Sequence, residues 1–289
     1  MTPHPPLAAF LASRPAVLKR GPIAVILVED DAVVSETLRH HVGLGFRHIL
    51  ALSPDALSLS EDLLSRVTNL RWNTRDPLAH QGALNAIIPT VPAGTWIYYG
   101  YNAEFLFFPF SETRSIGELL AFHAEERRDA MLTYVIDLYS PDIVRNPDAV
   151  DISDAMLDRT GYFALGRNAP DGTPLDRQLD FHGGLRWRFE EHVAPANRRI
   201  DRISLFRTAA NLRIQADHRF DVQEYNTYSC PWHHNLTAAI ASFRAAKALA
   251  TNPGSREAID TFCWRGSLPF EWRAGQLMDL GLMEPGQWF

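Results

Sequence analysis

The stretch "AVILVEDDAVVSE", residues 24–36, joins an uninterrupted apolar run to three consecutive acids. A continuous run of aliphatic residues is typical of a strand that is buried on both faces of a parallel sheet. Glu29, Asp30 and Asp31 follow that strand, and from Val33 onward the apolar residues recur with helical spacing. The stretch therefore predicts a strand, an acidic turn and a helix, which is the repeating unit of an α/β protein.

The same alternation continues along the first half of the chain. The predicted strands are 23–28, 48–53, 95–101 with a continuation to 110, and 130–139. The predicted helices are 33–42, 60–67, 80–88, 115–128 and, late in the chain, 236–249. This order predicts a doubly wound, mostly parallel sheet. The second half is rich in Arg, His and Trp and shows little periodicity, so we expect it to be irregular.

The composition disfavours several classes of protein. The chain has 289 residues and a net charge of −6, without a lysine-rich block, which disfavours a nucleic-acid partner. Cys230 and Cys263 form no C-x-x-C pair, which disfavours a disulfide framework or a zinc knuckle. We find neither a signal peptide nor an apolar run of about 18 residues, the length of a membrane span. We expect a cytoplasmic protein, free or peripheral to the inner membrane, of undetermined oligomeric state.

Acids after a first strand also occur in phospho-acceptor signalling domains. Such a domain needs a second aspartate at the end of a later strand and then a lysine at a strand end. Asp76 lies in a polar stretch before a proline, and no lysine occurs between Lys19 and Lys247. The sequence therefore disfavours this class.

Six segments carry a resemblance to a known family. They are "SETLRHHVGLGFRHIL" (35–50), "HQGALNAIIPTVPAGTWIYYGYNAEFLFFP" (80–109), "SIGELLAFHAEERRDAMLTYVIDLYSPD" (115–142), "HGGLRWRFEEH" (182–192), "IDRISLFR" (200–207) and "ADHRF" (216–220). In order and spacing they resemble bacterial family-2-like glycosyltransferases of the GT-A type. The resemblance implies a lead-in (1–20), a nucleotide-sugar-binding half (21–142) and an acceptor-binding half of the same domain (143–289).

The chain departs from that family at its acidic strand-end motif. In the family, a D-x-D motif holds a divalent cation that bridges the donor phosphates. Tyr101, Asn102 and Ala103 are aligned with that motif here, followed by Glu104, so both aspartates are missing. Asn102 can offer a neutral oxygen and Glu104 a charged one, on one face if the strand persists. Three alternatives remain open. In the first, Asn102, Glu104 and His218 hold Mn²⁺ or Mg²⁺. In the second, arginine or histidine cations stabilise the leaving phosphates without a metal. In the third, the chain has the fold but has lost transfer activity.

The resemblance also suggests binding residues for the donor. Glu29 and Asp31 are candidates for contacts with the nucleotide base or ribose, and helix capping by Asp30 or Asp31 is the alternative. His182 and Arg186 are candidates for contacts with the diphosphate, in a segment whose two glycines permit close backbone approach. On a strand, Arg186 and Arg188 would point the same way, and the alternative for both is a surface ion pair with Glu190 or Glu191.

The later segments supply candidates for catalysis and for the acceptor. Asp217 is the first candidate for the base that accepts the acceptor's hydroxyl proton, and Glu224 is the second. The stretch "EYNTYSCPWHHN" (224–235) is rich in polar aromatic residues, which would suit an acceptor site. Within it, His233 and His234 are more typical of loop packing, and Asn235 is a candidate helix cap.

The sequence therefore predicts a glycosyltransferase that moves a sugar from a nucleotide-sugar donor to a saccharide or other hydroxyl acceptor. The alternative is a catalytically inactive protein of the same fold that binds nucleotides or carbohydrates.

Overall fold

The structure is a computed structural model that describes residues 4–229 and 235–288. The helices are α1 Leu7–Ala12, α2 Val34–Gly43, α3 Glu61–Leu64, α4 Ala79–Ile87, α5 Ile116–Glu125, α6 Gly184–Arg188, α7 Arg244–Thr251 and α8 Ala274–Asp279. The strands are β1 Ile23–Leu27, β2 His48–Ser53, β3 Val67–Arg71, β4 Trp96–Tyr101, β5 Glu104–Phe107, β6 Ala130–Tyr139, β7 Met156–Asp158, β8 Phe163–Asn168, β9 Pro174–His182, β10 Asp201–Arg207, β11 Ala238–Ser242 and β12 Ser267–Pro269. In this part of the chain we find no helix with the length and hydropathy of a membrane span.

The chain forms two compact units, each assembled from three segments. Unit 1 comprises Met1–Ala103, Thr113–Leu132 and Ile203–Asn226. Unit 2 comprises Glu104–Glu112, Thr133–Arg202 and Thr227–Phe289. The predicted halves, 21–142 and 143–289, are contiguous stretches, whereas these units alternate along the chain.

Strand β1 lies in the middle of a parallel sheet in unit 1. The order is β3-β2-β1-β4, and Ile23 lies opposite both His48 and Ile97. All five residues of β1 are fully buried, as its uninterrupted apolar sequence requires. On the far side of β4, β10 runs antiparallel, with Leu205 opposite Tyr98. The prediction of an α/β protein with a mostly parallel sheet is confirmed for this unit.

Unit 2 contains a mixed sheet and a separate hairpin. Strand β11 pairs antiparallel with β5 and parallel with β6, while β7 pairs antiparallel with both β6 and β12. Strands β8 and β9 form the hairpin. Tyr139, Leu185, Leu249 and Phe262 belong to a buried cluster in this unit. The expected irregular second half therefore contains ordered strands.

The late helix predicted at 236–249 is wrong in its first half. Residues 238–242 form β11, and the helix α7 begins only at Arg244. All residues of "AAIAS" are buried between two neighbouring strands, so this short apolar run is a central strand. Apolar periodicity alone does not separate such a strand from a buried helix. Asn235 consequently precedes a strand and does not cap a helix.

Three other predictions about elements are corrected. Strand β4 ends at Tyr101, and Ala103 takes a left-handed conformation with φ of 59°, so 104–107 form a new strand that pairs with β11. The helix expected at 60–67 has only four residues, and β3 follows it where the sequence suggested a polar loop. Arg186 and Arg188 lie on the short helix α6, not on a strand.

Candidate functional site

Asn102 organises the acidic turn at the carboxyl end of β1. Its side chain is fully buried, and its Oδ1 accepts a hydrogen bond from the Glu29 backbone N–H at 2.9 Å. Its Nδ2 donates to Asp30 Oδ1 at 2.6 Å and to the carbonyl oxygen of Ala32 at 3.0 Å. Both ends of the amide are therefore used to shape the turn between β1 and α2.

Two threonines fix the same region from either side. Thr74 Oγ1 donates to the carbonyl oxygen of Val28 at 2.6 Å. Thr37 Oγ1 accepts from the Ala103 N–H at 3.0 Å and donates to the Val33 carbonyl oxygen at 2.8 Å. Polar groups from three elements thus hold one short turn, which makes it a preorganised surface at the end of the parallel strands.

The acids of this turn have different roles. Asp30 Oδ1 accepts from the Ala32 N–H at 3.0 Å and from Asn102, so it shapes the turn. The helix-capping alternative for Asp30 and Asp31 is wrong, because α2 begins after Val33 without a side-chain cap. Asp31 is exposed and Glu29 is half-buried.

This turn lies where the strand order of unit 1 reverses. From β1 the chain adds β2 and β3 on one side and then returns to place β4 on the other. In open α/β sheets, ligands bind at such a switch point, beyond the carboxyl ends of the strands. The sequence analysis placed Glu29 and Asp31 at a strand end, and the structure adds the switch point.

His218 lies in an aromatic stack in unit 1. Its ring stacks on that of His80 with centroids 4.0 Å apart, and its Nδ1 is 3.0 Å from the Tyr99 hydroxyl. Its backbone has a positive φ of 65°, an uncommon conformation for a residue with a side chain. These contacts are those of a packed histidine.

The two candidate bases lie in ion pairs at the surface of unit 1. Asp217 Oδ2 is 3.1 Å from Arg219 Nε, and its Oδ1 accepts from the Arg219 N–H at 3.2 Å. Glu224 is 2.6 Å from Arg128, whose side chain is buried while that of Glu224 is 60% exposed. The hydrogen bonds given above for the acidic turn come from other side chains.

Glu104 belongs to unit 2 and is fully buried there. Arg202 donates to both of its oxygens, with Nη2 to Oε2 at 2.5 Å and Nη1 to Oε1 at 3.3 Å. Ser242 Oγ donates to Oε1 at 3.3 Å, and Arg244 Nη1 is 3.9 Å from the same oxygen. The carboxylate of Glu104 is therefore neutralised within its own unit.

The residues predicted to hold a metal do not fit one. The Asn102 oxygen faces a backbone N–H, both Glu104 oxygens face Arg202, and His218 is in its stack. Mn²⁺ and Mg²⁺ need convergent oxygen ligands that are not engaged by cations. Within residues 4–229 and 235–288, no group of three or more His, Cys, Asp and Glu side chains could hold a metal ion.

A row of polar side chains crosses the sheet of unit 2. Directly opposed residues on neighbouring strands face the same side of a sheet. Ser242 lies opposite both Glu104 and Asp137, and Ser267 lies opposite Asp158. Leu138 pairs with Leu157, so the next step of that register sets Asp137 beside Asp158. We call Glu104, Ser242, Asp137, Asp158 and Ser267 the polar row.

Each acid of the polar row has its own arginine. Arg202 pairs with Glu104, Arg186 Nε lies 3.6 Å from Asp137 Oδ1, and Arg188 Nη1 lies 3.2 Å from Asp158 Oδ2. The predicted surface pairs of Arg186 and Arg188 with Glu190 and Glu191 are therefore wrong. Two of the three arginines come from "GGLRWR", the segment in which the sequence analysis placed phosphate-binding cations.

Asp137 is the least satisfied member of the polar row. Its Oδ2 accepts the Leu185 N–H at 3.0 Å, but its buried Oδ1 makes no hydrogen bond within the described residues. Burial raises its pKa from 3.8 to about 6, although Arg186 acts in the opposite direction. Gly184, with φ of 60°, permits the approach, since a Cβ there would lie 2.8 Å from Oδ2.

Asp158 is by contrast fully bonded. Tyr139 donates to its Oδ1 at 2.5 Å, and the indole Nε1 of Trp264 donates to the same oxygen at 2.7 Å. Arg188 lies over the Trp264 ring at 4.7 Å. Burial and the adjacent Asp158 raise the pKa of the Tyr139 hydroxyl, so this group stays protonated and continues to donate.

The remaining predicted residues lie in unit 2 or outside the residues that the structure describes. The His182 ring stacks on Phe163 at the end of the β8–β9 hairpin, with centroids 5.2 Å apart. Cys230, His233 and His234, in the predicted acceptor stretch, lie outside the described residues.

The sequence analysis missed Asp137, Asp158 and Arg202 as interacting residues. Single charged residues inside apolar strands, as in "YVIDLY", were the available signal, because a buried charge requires a partner.

Comparison with known proteins adds no assignment. No protein-family model matches the chain, and no curated protein matches its sequence.

Proposed function

We propose that the chain is a glycosyltransferase of the GT-A type that binds the nucleotide of its sugar donor at the β1–β4 switch point of unit 1. The observation that carries the proposal is the preorganised acidic turn, held by Asn102 at the edge where the strand order reverses. Preorganised polar groups at such an edge suit nucleotide recognition. The family resemblance of the sequence supplies the class of reaction.

Glu29 and Asp31 are the nucleotide contacts in this proposal. Carboxylates accept hydrogen bonds from ribose hydroxyls and from base N–H groups, and both residues stand on the turn beyond β1, where Asp31 is exposed and Glu29 half-buried. They repel phosphates, so the diphosphate is expected to lie away from them. The bonds of Asn102 position the turn on which these two carboxylates stand.

The proposed enzyme works without a divalent cation at Asn102 and Glu104. The departing nucleoside diphosphate still needs positive charge in the transition state. Arginine or histidine side chains meet that need in this proposal, because Asn102 and Glu104 are already bonded internally. This is the second of the three alternatives left by the sequence.

The first experiment measures nucleotide binding by the full chain. UDP, GDP and their sugars are titrated by calorimetry with Mn²⁺ and again with EDTA, and we expect equal affinity in both. Asp31→Asn and Glu29→Gln should weaken binding, whereas Glu125→Gln, an exposed acid on α5, is the matched control and should not. Binding that requires Mn²⁺, or binding unaffected by either variant, contradicts the proposal.

A second candidate is a nucleotide-binding protein without transfer activity. The observation that favours it is that Asn102 and Glu104 both serve the interior of their own units. Incubation with a bound nucleotide sugar, followed by detection of released nucleoside diphosphate, separates the two. Release that depends on an added saccharide supports the transferase, and no release with any acceptor supports the second candidate.

A further inference from the structure

A cleft of about 510 Å³ opens in unit 1 at the carboxyl end of β3. Trp72 and Asn73, which directly follow β3, form one side of the cleft. Leu78, Gln81 and Gly82, on and just before α4, form the other. The volume falls within the range of small-molecule sites, about 300–1,000 Å³.

The cleft has a rigid aromatic wall. Trp72 Nε1 donates to the Ala79 carbonyl oxygen at 3.0 Å, which fixes the indole against the start of α4. The same side chain packs against a buried cluster of Leu27, Ala79 and Tyr101. Since Leu27 and Tyr101 end β1 and β4, the wall lies close to the switch point within one unit.

Gly82 lies in the cleft lining directly beside the Trp72 indole. It is exposed in the interior of α4, where glycine is less favourable than alanine. A Cβ at this position would lie 3.1 Å from Cζ2 of Trp72. Because Gly82 has no side chain, the indole can lie beside the helix. This packing explains why a residue of low helix propensity stands in the interior of α4.

The polar lining consists of amides and one carboxylate. Asp76 uses its Oδ1 for the Leu78 N–H at 2.8 Å, and Asn73 uses its Oδ1 for the Arg75 N–H at 3.3 Å. Both side chains are thereby oriented with a second polar atom remaining, and Gln81 adds an amide. The lining residues carry one formal charge, that of Asp76, so an anionic ligand is disfavoured.

We propose that this cleft binds a small neutral saccharide. Pyranose rings present apolar C–H faces that pack on an indole, and their hydroxyls both donate to a carboxylate and accept from amides. A phosphate-bearing ligand would be repelled by Asp76. If the proposed function holds, this saccharide is the acceptor. Only that assignment rests on the proposed function.

The test uses the full chain without nucleotide. A printed array of neutral mono-, di- and trisaccharides is screened, and the strongest signal is confirmed in solution by saturation-transfer NMR and titration. We expect saturable binding to at least one saccharide. The absence of saturable binding to any of them overturns the proposal, and so does binding that a free nucleoside displaces.

Variants locate the binding site. Trp72→Ala should weaken saccharide binding about tenfold or more, and Trp187→Ala, an exposed tryptophan in unit 2, is the matched control. Gly82→Ala guards against misfolding, because alanine favours the helix while its methyl group would displace the Trp72 indole, 3.1 Å away. Unchanged affinity in both Trp72→Ala and Gly82→Ala overturns the proposal.

Nucleotide affinity is measured on the same variants. If the protein binds a saccharide but no nucleotide, the saccharide site in the cleft is supported and only the proposed function is rejected. If it binds a nucleotide but no saccharide, the saccharide site is rejected and the proposed function is not.

Discussion

Two buried regions of the molecule satisfy their polar groups in different ways. At the end of β1 in unit 1, one neutral amide, Asn102, joins backbone and side-chain groups in a network. In the polar row of unit 2, each of the three carboxylates lies beside an arginine. Glu104 follows Asn102 by only two residues, yet each belongs to a different network in its own unit.

The difference concerns what each network contributes to stability. The network at the end of β1 is centred on an amide, which does not titrate. Burying ion pairs costs desolvation free energy. Removing one partner of a buried pair is strongly destabilising, because it leaves the other charge buried without compensation. We therefore expect the polar row to dominate the response of the protein to mutation and to pH.

The largest effect is expected for Arg202→Ala. The variant leaves Glu104 buried without its main partner, and such a loss typically costs about 3–5 kcal/mol of unfolding free energy. Urea denaturation followed by circular dichroism measures it. Arg207→Ala, an exposed arginine on the same strand, is the control and should cost less than about 1 kcal/mol. Equal losses in the two variants would show that the buried pair has no special role.

A pH-dependent effect of similar size is expected at Asp137. Its pKa is about 6 in the folded protein and 3.8 in the reference state, so the folded protein retains a proton that the unfolded chain releases. Asp137 therefore stabilises the fold below about pH 4, and this contribution is lost as the pH rises through about 6. This difference between the two pKa values corresponds to about 3 kcal/mol.

The measurement compares wild type with Asp137→Asn by urea denaturation at several pH values from 4 to 7. The stability of wild type relative to the variant should fall by roughly that amount across the range. Asp176→Asn, an exposed acid, should show a small difference. If the difference in unfolding free energy between wild type and Asp137→Asn does not change with pH, the pKa of Asp137 is the same in the folded and unfolded protein.

A smaller effect is expected for Asn102→Asp, which replaces the buried amide by a carboxylate. The new carboxylate cannot donate, although Asp30 Oδ1 and the Ala32 carbonyl oxygen both require a donor there. Burying such unpaired acceptors costs about 1–3 kcal/mol. We expect lower stability that Mn²⁺ does not restore, measured by thermal unfolding. Asn73→Asp, at the exposed end of β3, is the matched control, and a rescue by Mn²⁺ would revive the metal hypothesis.

The smallest effect is expected for Asp217→Asn. Its pair with Arg219 is partly exposed, so the free energy of unfolding should change by less than about 1 kcal/mol. The sequence analysis named this residue as the catalytic base, which is tested separately by turnover. Loss of turnover with unchanged stability and nucleotide binding would support that role, and unchanged turnover would remove Asp217 from the mechanism.

The sequence predicted the first half of the fold because its strands are long apolar runs. The strands at 23–28, 48–53 and 130–139 were placed within one residue, since each is rich in aliphatic or aromatic residues and is bounded by charged residues, proline or serine. The strand at 67–71 was missed, because "VTNLR" contains polar residues that bond within the sheet. Asn69 is one of these, and its amide donates to the Ala51 carbonyl oxygen.

The candidate sites were less predictable for a physical reason. The acids at the end of β1 stand in one segment, so local sequence revealed them. The polar row is assembled from strands β5, β6, β7, β11 and β12, which are far apart in the chain. Its existence depends on strand register, and no local pattern encodes that Ser242 lies opposite Glu104 and Asp137.

The interleaved segments of the two units have a consequence for how the protein is made. Unit 1 is incomplete until Ile203–Asn226 has been added, and unit 2 receives Thr227–Phe289 last. A ribosome that has synthesised residues 1–142 has therefore released neither unit in full, and β4 still lacks its neighbour β10. Fragments cut at a single point should expose bare strand edges and aggregate, so each half of the gene depends on the other for a soluble product.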